Sequence, residues 1–268
     1  MSVPEPQRVF LEQIISQLKK DDRLLGVAIG GSYLSGQMDE YSDLDLIIIV
    51  ADDSYQQVLD ERKLFANRLG SLLAAFTGEH VGEPRLLICL YENPLLHVDL
   101  KFLVLQDLKI GRVENPIVLW EQDNLLTLAI KDNPGNYPPL DLQWIEDRFW
   151  VWVHYGATKL GRGELFEAID FLSYIRGQVL GPLAKIQSGK LPRGVRNLET
   201  ELPHLLADFH QTIPMKHNSL EIAKALQHSI YLYRQFRQAL NKPDLIVHSS
   251  AEKASIEYLQ IVIDGLKY

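Results

Sequence analysis

The sequence contains very little cysteine, since Cys89 is the only one among 268 residues. A single cysteine cannot form an internal disulfide and cannot build a cysteine-based metal site. Long apolar runs are also missing, so the sequence predicts no membrane-spanning helix. The first ten residues, MSVPEPQRVF, lack the basic segment and apolar run of a secretory signal. Together these absences favour a cytoplasmic protein.

The sequence also lacks the residues for a basic surface. Residues 1–140 hold 21 acidic and 12 basic residues, a net charge of −9, whereas residues 141–268 hold 14 acidic and 15 basic residues, a net charge of +1. Nucleic-acid-binding proteins usually carry a basic field, so we predict no nucleic-acid partner. The acidic half either attracts cations, metal ions or a cationic substrate, or is an ordinary acidic surface.

Apolar residues are plentiful, and their spacing predicts the fold class. Segments with strand-like and helix-like spacing alternate in the first half, whereas the second half has helical spacing throughout. The proline-rich segment DNPGNYPPLD separates the two halves. We therefore predict an α+β protein, with a mixed-sheet domain at residues 1–135 and a helical bundle at residues 136–268. The expected strands span residues 24–29, 43–51, 85–91 and 95–105, and the expected helices span residues 5–20, 54–76, 141–160, 163–186, 218–240 and 250–266.

Two carboxylates lie at the start of the most apolar strand. Asp43 and Asp45 flank a single leucine in the segment DLDLIIIV, so both side chains project from one face of that strand. Paired carboxylates on one face suit hard divalent cations. The alternative is a solvated strand end without a ligand.

A glycine-rich turn precedes these acids by ten residues. Gly30 and Gly31 allow the backbone to turn sharply and to approach a ligand closely. Ser32 then offers a hydroxyl and a free amide to an anion. A metal site beside an anion-binding turn is what phosphoryl or nucleotidyl transfer requires. The glycines alone would equally fit an ordinary strand-to-helix turn.

The order of strand, Gly-Gly-Ser turn, spacer, Asp-x-Asp and second strand resembles the signature of the DNA polymerase β-type nucleotidyltransferase superfamily. The resemblance covers residues 24–105. It implies a palm-like core in which Asp43 and Asp45 bind two Mg²⁺ ions. It also implies that the turn of Gly30, Gly31 and Ser32 holds the triphosphate of a nucleotide.

The superfamily uses a third carboxylate on a later strand, and Asp99 in LLHVDLKFLVL fits that role. An acid that interrupts an apolar strand needs a partner, and a shared metal ion supplies one. The resemblance implies that Asp99 completes the metal site or acts as general base for the attacking hydroxyl. The alternative is a strand-edge aspartate that pairs with Lys101 or is exposed. His97 is expected to be a neutral histidine beside the site or in the core.

The helical half loosely resembles the helical domain of aminoglycoside- and lincosamide-type nucleotidyltransferases. Lys159 and Arg162 are expected either to contact the triphosphate or to lie exposed near a helix C-terminus. Glu164, Glu167 and Asp170 are three residues apart and share one side of a helix. They either line an acceptor pocket or form a solvated face.

These features predict a magnesium-dependent transfer of a nucleoside monophosphate, AMP from ATP, to a hydroxyl of an antibiotic-like small molecule. The acceptor class rests on chain size and domain order, which is analogy. A protein-modifying enzyme of the same superfamily is one alternative, and the long helical half disfavours it. A non-catalytic relative that only binds nucleotide is another, and the presence of all three carboxylates disfavours it.

Overall fold

The structure is a computed structural model that describes residues 3–266. The chain divides into two compact units, one ending at Pro138 and one beginning at Pro139. The first unit is built on a sheet and the second is helical, so the predicted α+β class is confirmed. Within the described residues, no helix combines the length and apolar character that crossing a bilayer requires.

The first unit contains one mixed sheet, with the strand order β3-β4-β5-β2-β1-β6 in the described part of the chain. Strands β2 and β5 are parallel neighbours, and the other neighbours are antiparallel. Strand β2, with its long apolar run, lies inside the sheet as its sequence predicts. The strands are β1 (Leu24–Ile29), β2 (Leu44–Val50), β3 (Leu72–Gly78), β4 (Glu83–Tyr91), β5 (Leu96–Val104) and β6 (Ile117–Glu121).

Helices cover the two faces of this sheet unequally. On one face, α1, α3 and α4 pack over the alternate apolar residues of four strands and form a large core. Cys89 lies in this core, where burial raises the pKa of its thiol to about 12. On the other face, α5 and α6 form a smaller cluster over only part of the sheet. The helices are α1 (Glu5–Leu18), α2 (Ser32–Ser35), α3 (Tyr55–Asp60), α4 (Arg62–Leu69), α5 (Leu105–Lys109) and α6 (Leu125–Asp132).

The predicted helix over residues 54–76 is wrong in its second half. Helix α4 ends at Leu69, and Leu72–Gly78 forms strand β3 against β4. Leucine and alanine favour helices, so local preference misleads here. Pairing with β4 satisfies the backbone of this segment and overrides that preference. Strand β6 is a further element that the sequence did not predict.

The second unit consists of helices whose bounds lie close to the predicted ones. The long segment after Gly163 contains a π-helical turn at Arg176–Leu180, directly before Gly181-Pro182. At this turn the Gly181 amide donates to the Arg176 carbonyl oxygen, five residues earlier. The helices are α7 (Leu142–Arg162), α8 (Leu165–Ile175), α9 (Gly181–Gln187), α10 (Leu198–Glu201), α11 (Leu206–Gln211), α12 (Ser219–Leu240) and α13 (Ser249–Gly265).

A buried carboxylate joins three of these helices. The Glu146 side chain on α7 is fully buried. It accepts hydrogen bonds from the Tyr233 hydroxyl and from Trp150 Nε1, the latter at 3.1 Å. Arg237 Nη1 lies 3.1 Å from both of its oxygens, and the His248 amide donates at 3.0 Å from the start of α13. All the partners are donors, so the charge of Glu146 is compensated inside the helical core.

We expect Glu146→Ala to lower the free energy of unfolding by about 3–5 kcal/mol. Arg237 would keep Glu252 but lose Glu146, and the Tyr233 hydroxyl and the His248 amide would lose their acceptor. Glu257→Ala is the matched control. Its side chain is 63% exposed and lies 3.9 Å from Lys253, so we expect a loss of about 0.5 kcal/mol or less. Urea denaturation followed by circular dichroism measures both. Equal losses in the two variants would contradict the structural role of Glu146.

Candidate functional site

The Gly-Gly-Ser turn lies where strand β1 ends, directly against Asp45. The Gly30 amide donates to the Asp45 carbonyl oxygen at 2.9 Å. Gly31 has a φ of +60°, a conformation that side chains rarely adopt. A Cβ added at Gly31 would lie 1.8 Å from Asp45 Oδ2. Only glycine therefore fits between the turn and the carboxylate.

The turn presents two polar groups beside Asp45, the Ser32 hydroxyl and the Gly31 amide. Ser32 Oγ is buried and has no hydrogen-bond partner among the described residues. An unsatisfied buried hydroxyl is unfavourable and calls for an explanation. The Gly31 amide donates to Glu114 Oε1 at 3.3 Å. Glu114 is a neighbour that the sequence did not reveal, because 83 positions separate the two residues and no motif links them.

The acidic residues meet through the parallel pairing of β2 with β5. Asp45 lies in β2 directly beside Asp99 of β5. Asp43 precedes β2 by one residue. The buried Leu44 and Leu46 face the core as expected, so Asp45 and Asp99 face the opposite side of the sheet.

Asp99 has an unusual electrostatic environment. Its burial raises the pKa of the carboxyl, the charge and hydrogen bond of His97 oppose that rise, and the negative charge of Asp43 adds to it. His97 Nε2 lies 2.9 Å from Asp99 Oδ1, and the His97 side chain is 49% exposed. His97 therefore lies beside the acids, as one of the two expected arrangements places it, and not in the core.

The alternative pair of Asp99 with Lys101 is not present. Lys101 Nζ instead lies 2.7 Å from Glu83 Oε2. Arg85 donates to the same carboxylate, and these two cations lower the pKa of Glu83 to about 2. Lys101 therefore pairs with another residue, and the Asp99 carboxylate is hydrogen-bonded to His97 instead.

Within residues 3–266, no group of three or more histidine, cysteine, aspartate or glutamate side chains has the arrangement of a metal site. The structure brings Asp45 and Asp99 side by side, with Asp43 close enough to influence the charge of Asp99. Joint metal ligation by Asp43, Asp45 and Asp99 therefore stays a prediction.

The basic and acidic residues singled out in the second unit contact one another. Lys159 Nζ lies 2.7 Å from Glu164 Oε2 and also pairs with Glu167. Hydrogen bonds to these two carboxylates, Glu164 first, raise the pKa of Lys159. The Lys159 side chain is 12% exposed, whereas Arg162 and Asp170 are exposed. Two of the three acids thus belong to an ion cluster, and the triphosphate contact of Lys159 stays a prediction.

Several solved structures match the chain along nearly its whole length at low similarity. An aminoglycoside 6-adenyltransferase from Bacillus subtilis is 16% identical, with a TM-score of 0.39, over 95% of this chain and 97% of that chain. A nucleotidyltransferase-like protein from Exiguobacterium sibiricum is 16% identical, with a TM-score of 0.38, over 97% and 89%. A spectinomycin adenyltransferase from Enterococcus faecialis, solved with ATP and spectinomycin, is 12% identical, with a TM-score of 0.27, over 97% and 98%. Curated protein sequences give no significant match.

The match to a domain family is more specific. Residues 11–102 match the family described as the nucleotidyltransferase domain. This range runs from α1 through β5, so it includes the turn at Gly31 and all three predicted carboxylates. The resemblance inferred from the motif is thereby confirmed for this part of the chain. Residues 11–102 therefore match a nucleotidyltransferase domain, and this match supports an enzyme of that type.

Proposed function

We propose that this chain transfers a nucleoside monophosphate, AMP from ATP, to a hydroxyl of a small-molecule acceptor and releases pyrophosphate. The observation that carries the proposal is the side-by-side placement of Asp45 and Asp99 against the Gly31 turn. Carboxylates placed together beside a close backbone turn are suited to bind a divalent cation next to a phosphate.

The residues at this point of the sheet fit magnesium. Carboxylate oxygens are the ligands that Mg²⁺ takes in phosphate-transferring enzymes, and Asp43, Asp45 and Asp99 supply them. When bound, the metal neutralises phosphate oxygens and fixes the in-line geometry of the displacement.

The turn would hold the triphosphate. The Ser32 hydroxyl lacks a partner, and a phosphate oxygen would accept a hydrogen bond from it. Gly31 lets the backbone approach closely, since any larger residue would collide with Asp45. The Glu114 carboxylate would then give up its weak contact with the Gly31 amide.

Asp99 is suited to accept a proton from the acceptor hydroxyl. Burial raises the pKa of its carboxyl, and a more basic carboxylate is a better general base. His97 holds one oxygen of Asp99 at 2.9 Å, which leaves the other oxygen for the hydroxyl or a metal. In this scheme the proton moves to Asp99, the acceptor oxygen attacks the α-phosphorus, and pyrophosphate leaves.

The first test is metal-dependent nucleotide binding. We expect ATP with magnesium to raise the melting temperature of the wild-type protein, because ligands that bind the folded state stabilise it. The shift should be lost in the double variant Asp43→Asn with Asp45→Asn. The double variant Asp52→Asn with Asp53→Asn is the matched control, since it removes two exposed charges beyond the other end of β2. If the control loses the shift as well, or neither variant does, the assigned site is wrong.

The second test concerns the turn. We expect Gly31→Ala to lower kcat/KM by about 100-fold or more, because a misplaced catalytic group costs that much and the new Cβ displaces the Asp45 carboxylate. Gly82→Ala is the control, since Gly82 also has a positive φ but nothing lies near its added Cβ. This control carries the same backbone strain without the collision. Comparable losses in both variants would assign the effect to strain alone.

The third test separates the acceptor classes. ATP labelled at the α-phosphate is incubated with the protein and magnesium, first with an antibiotic panel and then with a cell lysate. We expect the label in the small-molecule fraction, and none with the Asp43→Asn, Asp45→Asn variant. Label on protein would favour the protein-modifying alternative. Binding of ATP without any transfer would favour a non-catalytic, nucleotide-binding protein.

A further inference from the structure

The sheet face that carries the two acids continues into an apolar surface. Asp99 pairs across β5 and β4 with Ile88, and Ile88 pairs across β4 and β3 with Phe76. Paired residues point to the same face of a sheet. Asp45, Asp99, Ile88 and Phe76 therefore form one row across four strands.

A second row lies beside the first. His97 pairs with Leu90, and Leu90 pairs with Ala74. Two residues along each strand separate the rows, so both occupy the same face. We call the side chains of Ala74, Phe76, Ile88 and Leu90 the apolar shelf. It adjoins the acids at Asp99 and His97.

Two large side chains of the apolar shelf are exposed. Phe76 is 52% exposed and Leu90 is 37% exposed. Elsewhere on this face α5 and α6 cover the sheet with Leu108 and Leu126. Exposed apolar groups that adjoin one another often mark a binding surface. Here the exposed group is contiguous with the predicted catalytic acids, which indicates a substrate.

We propose that the apolar shelf binds the apolar ring face of the acceptor while the reacting hydroxyl of the acceptor lies at Asp99. This inference rests on the proposed function and names the acceptor class within it. Neighbouring strands lie about 4.8 Å apart, so across the sheet the backbone at Ile88 is about 5 Å, and the backbone at Phe76 about 10 Å, from the backbone at Asp99. An acceptor that spans both is at least two rings long, with a hydroxyl at one end and an apolar face at the other.

The composition of the apolar shelf supports this class of acceptor. None of its four side chains is charged or polar. The Phe76 ring lies 5.6 Å from the ring of His80, which leaves much of its surface open to stacking. The acids and His97 border the shelf along β5, and Lys101, which pairs with Glu83, lies in the adjoining row beside Leu86. The shelf is therefore an apolar surface bordered by charged groups along β5.

A second copy of the chain is a less suitable occupant. Strand β3 is at the edge of the sheet, and edge strands do invite pairing. However, four side chains offer far less than the roughly 20–30 residues per partner of a stable interface. A small molecule matches the size of the apolar shelf better.

The experiment compares Phe76→Ser and Ile88→Thr with the control Leu64→Ser. Leu64 is 67% exposed on α4, which packs on the opposite face. With an acceptor found in the transfer assay, we expect each shelf variant to raise the KM for the acceptor about tenfold. The KM for ATP and the melting-temperature shift by ATP should be unchanged. The control should match the wild type in all three measurements.

A binding probe keeps the two proposals separate. The fluorescent two-ring compound 7-hydroxy-4-methylcoumarin is titrated into the wild type and the three variants, with size-exclusion chromatography of each. We expect saturable binding that weakens about tenfold in Phe76→Ser and Ile88→Thr. If no nucleotidyl transfer is found but the probe binds as expected, the proposed function is wrong and the shelf proposal stands. The shelf proposal is overturned if the wild type does not bind the probe, if shelf variants equal the control, or if the wild type is a dimer that Phe76→Ser dissociates.

Discussion

The parallel pairing of β2 with β5 is the constraint on which the site depends. It sets Asp45 directly beside Asp99, where burial, together with the negative charge of Asp43, raises the pKa of the Asp99 carboxyl. The charge and hydrogen bond of His97 oppose that rise, and His97 Nε2 lies 2.9 Å from Asp99 Oδ1. Without this pairing the acids of β2 and β5 would not meet at one point of the sheet, so every role proposed for them depends on it.

The unequal covering of the sheet decides where substrates have access. One face is sealed by α1, α3 and α4 over a continuous apolar core. On the other face, α5 and α6 cover only the region around β1 and the distal parts of β2 and β5. The acids lie on the uncovered part, and the apolar shelf extends from them across β4 and β3. Catalytic groups and acceptor contacts would thus share one rigid surface, which favours accurate positioning.

The prominent charged side chains of the helical unit pair with groups of the same unit. Glu146 is compensated by donors from α7, α12 and the start of α13, and Lys159 is paired with two glutamates. Helical spacing alone showed that Glu164 and Glu167 share a side. It did not show that a lysine from the preceding helix lies between them, because that contact depends on how α7 turns into α8.

The sequence by itself determined the local elements and the identity of the chemical groups. The apolar periodicity placed β1, β2, β4 and β5 within two residues of their bounds, and the Gly-Ser and Asp-x-Asp spacing identified the nucleotidyltransferase domain. Only the tertiary structure decided which strands are neighbours and in which register. That choice put Asp99 beside Asp45, Glu114 beside Gly31, and Ile88 and Phe76 in line with the acids. The physical reason is that periodicity reports which face of an element is buried, whereas partners far apart in sequence are selected by packing of the whole sheet. Strand β3 shows the same limit, since LLAAF favours a helix until β4 offers it a partner.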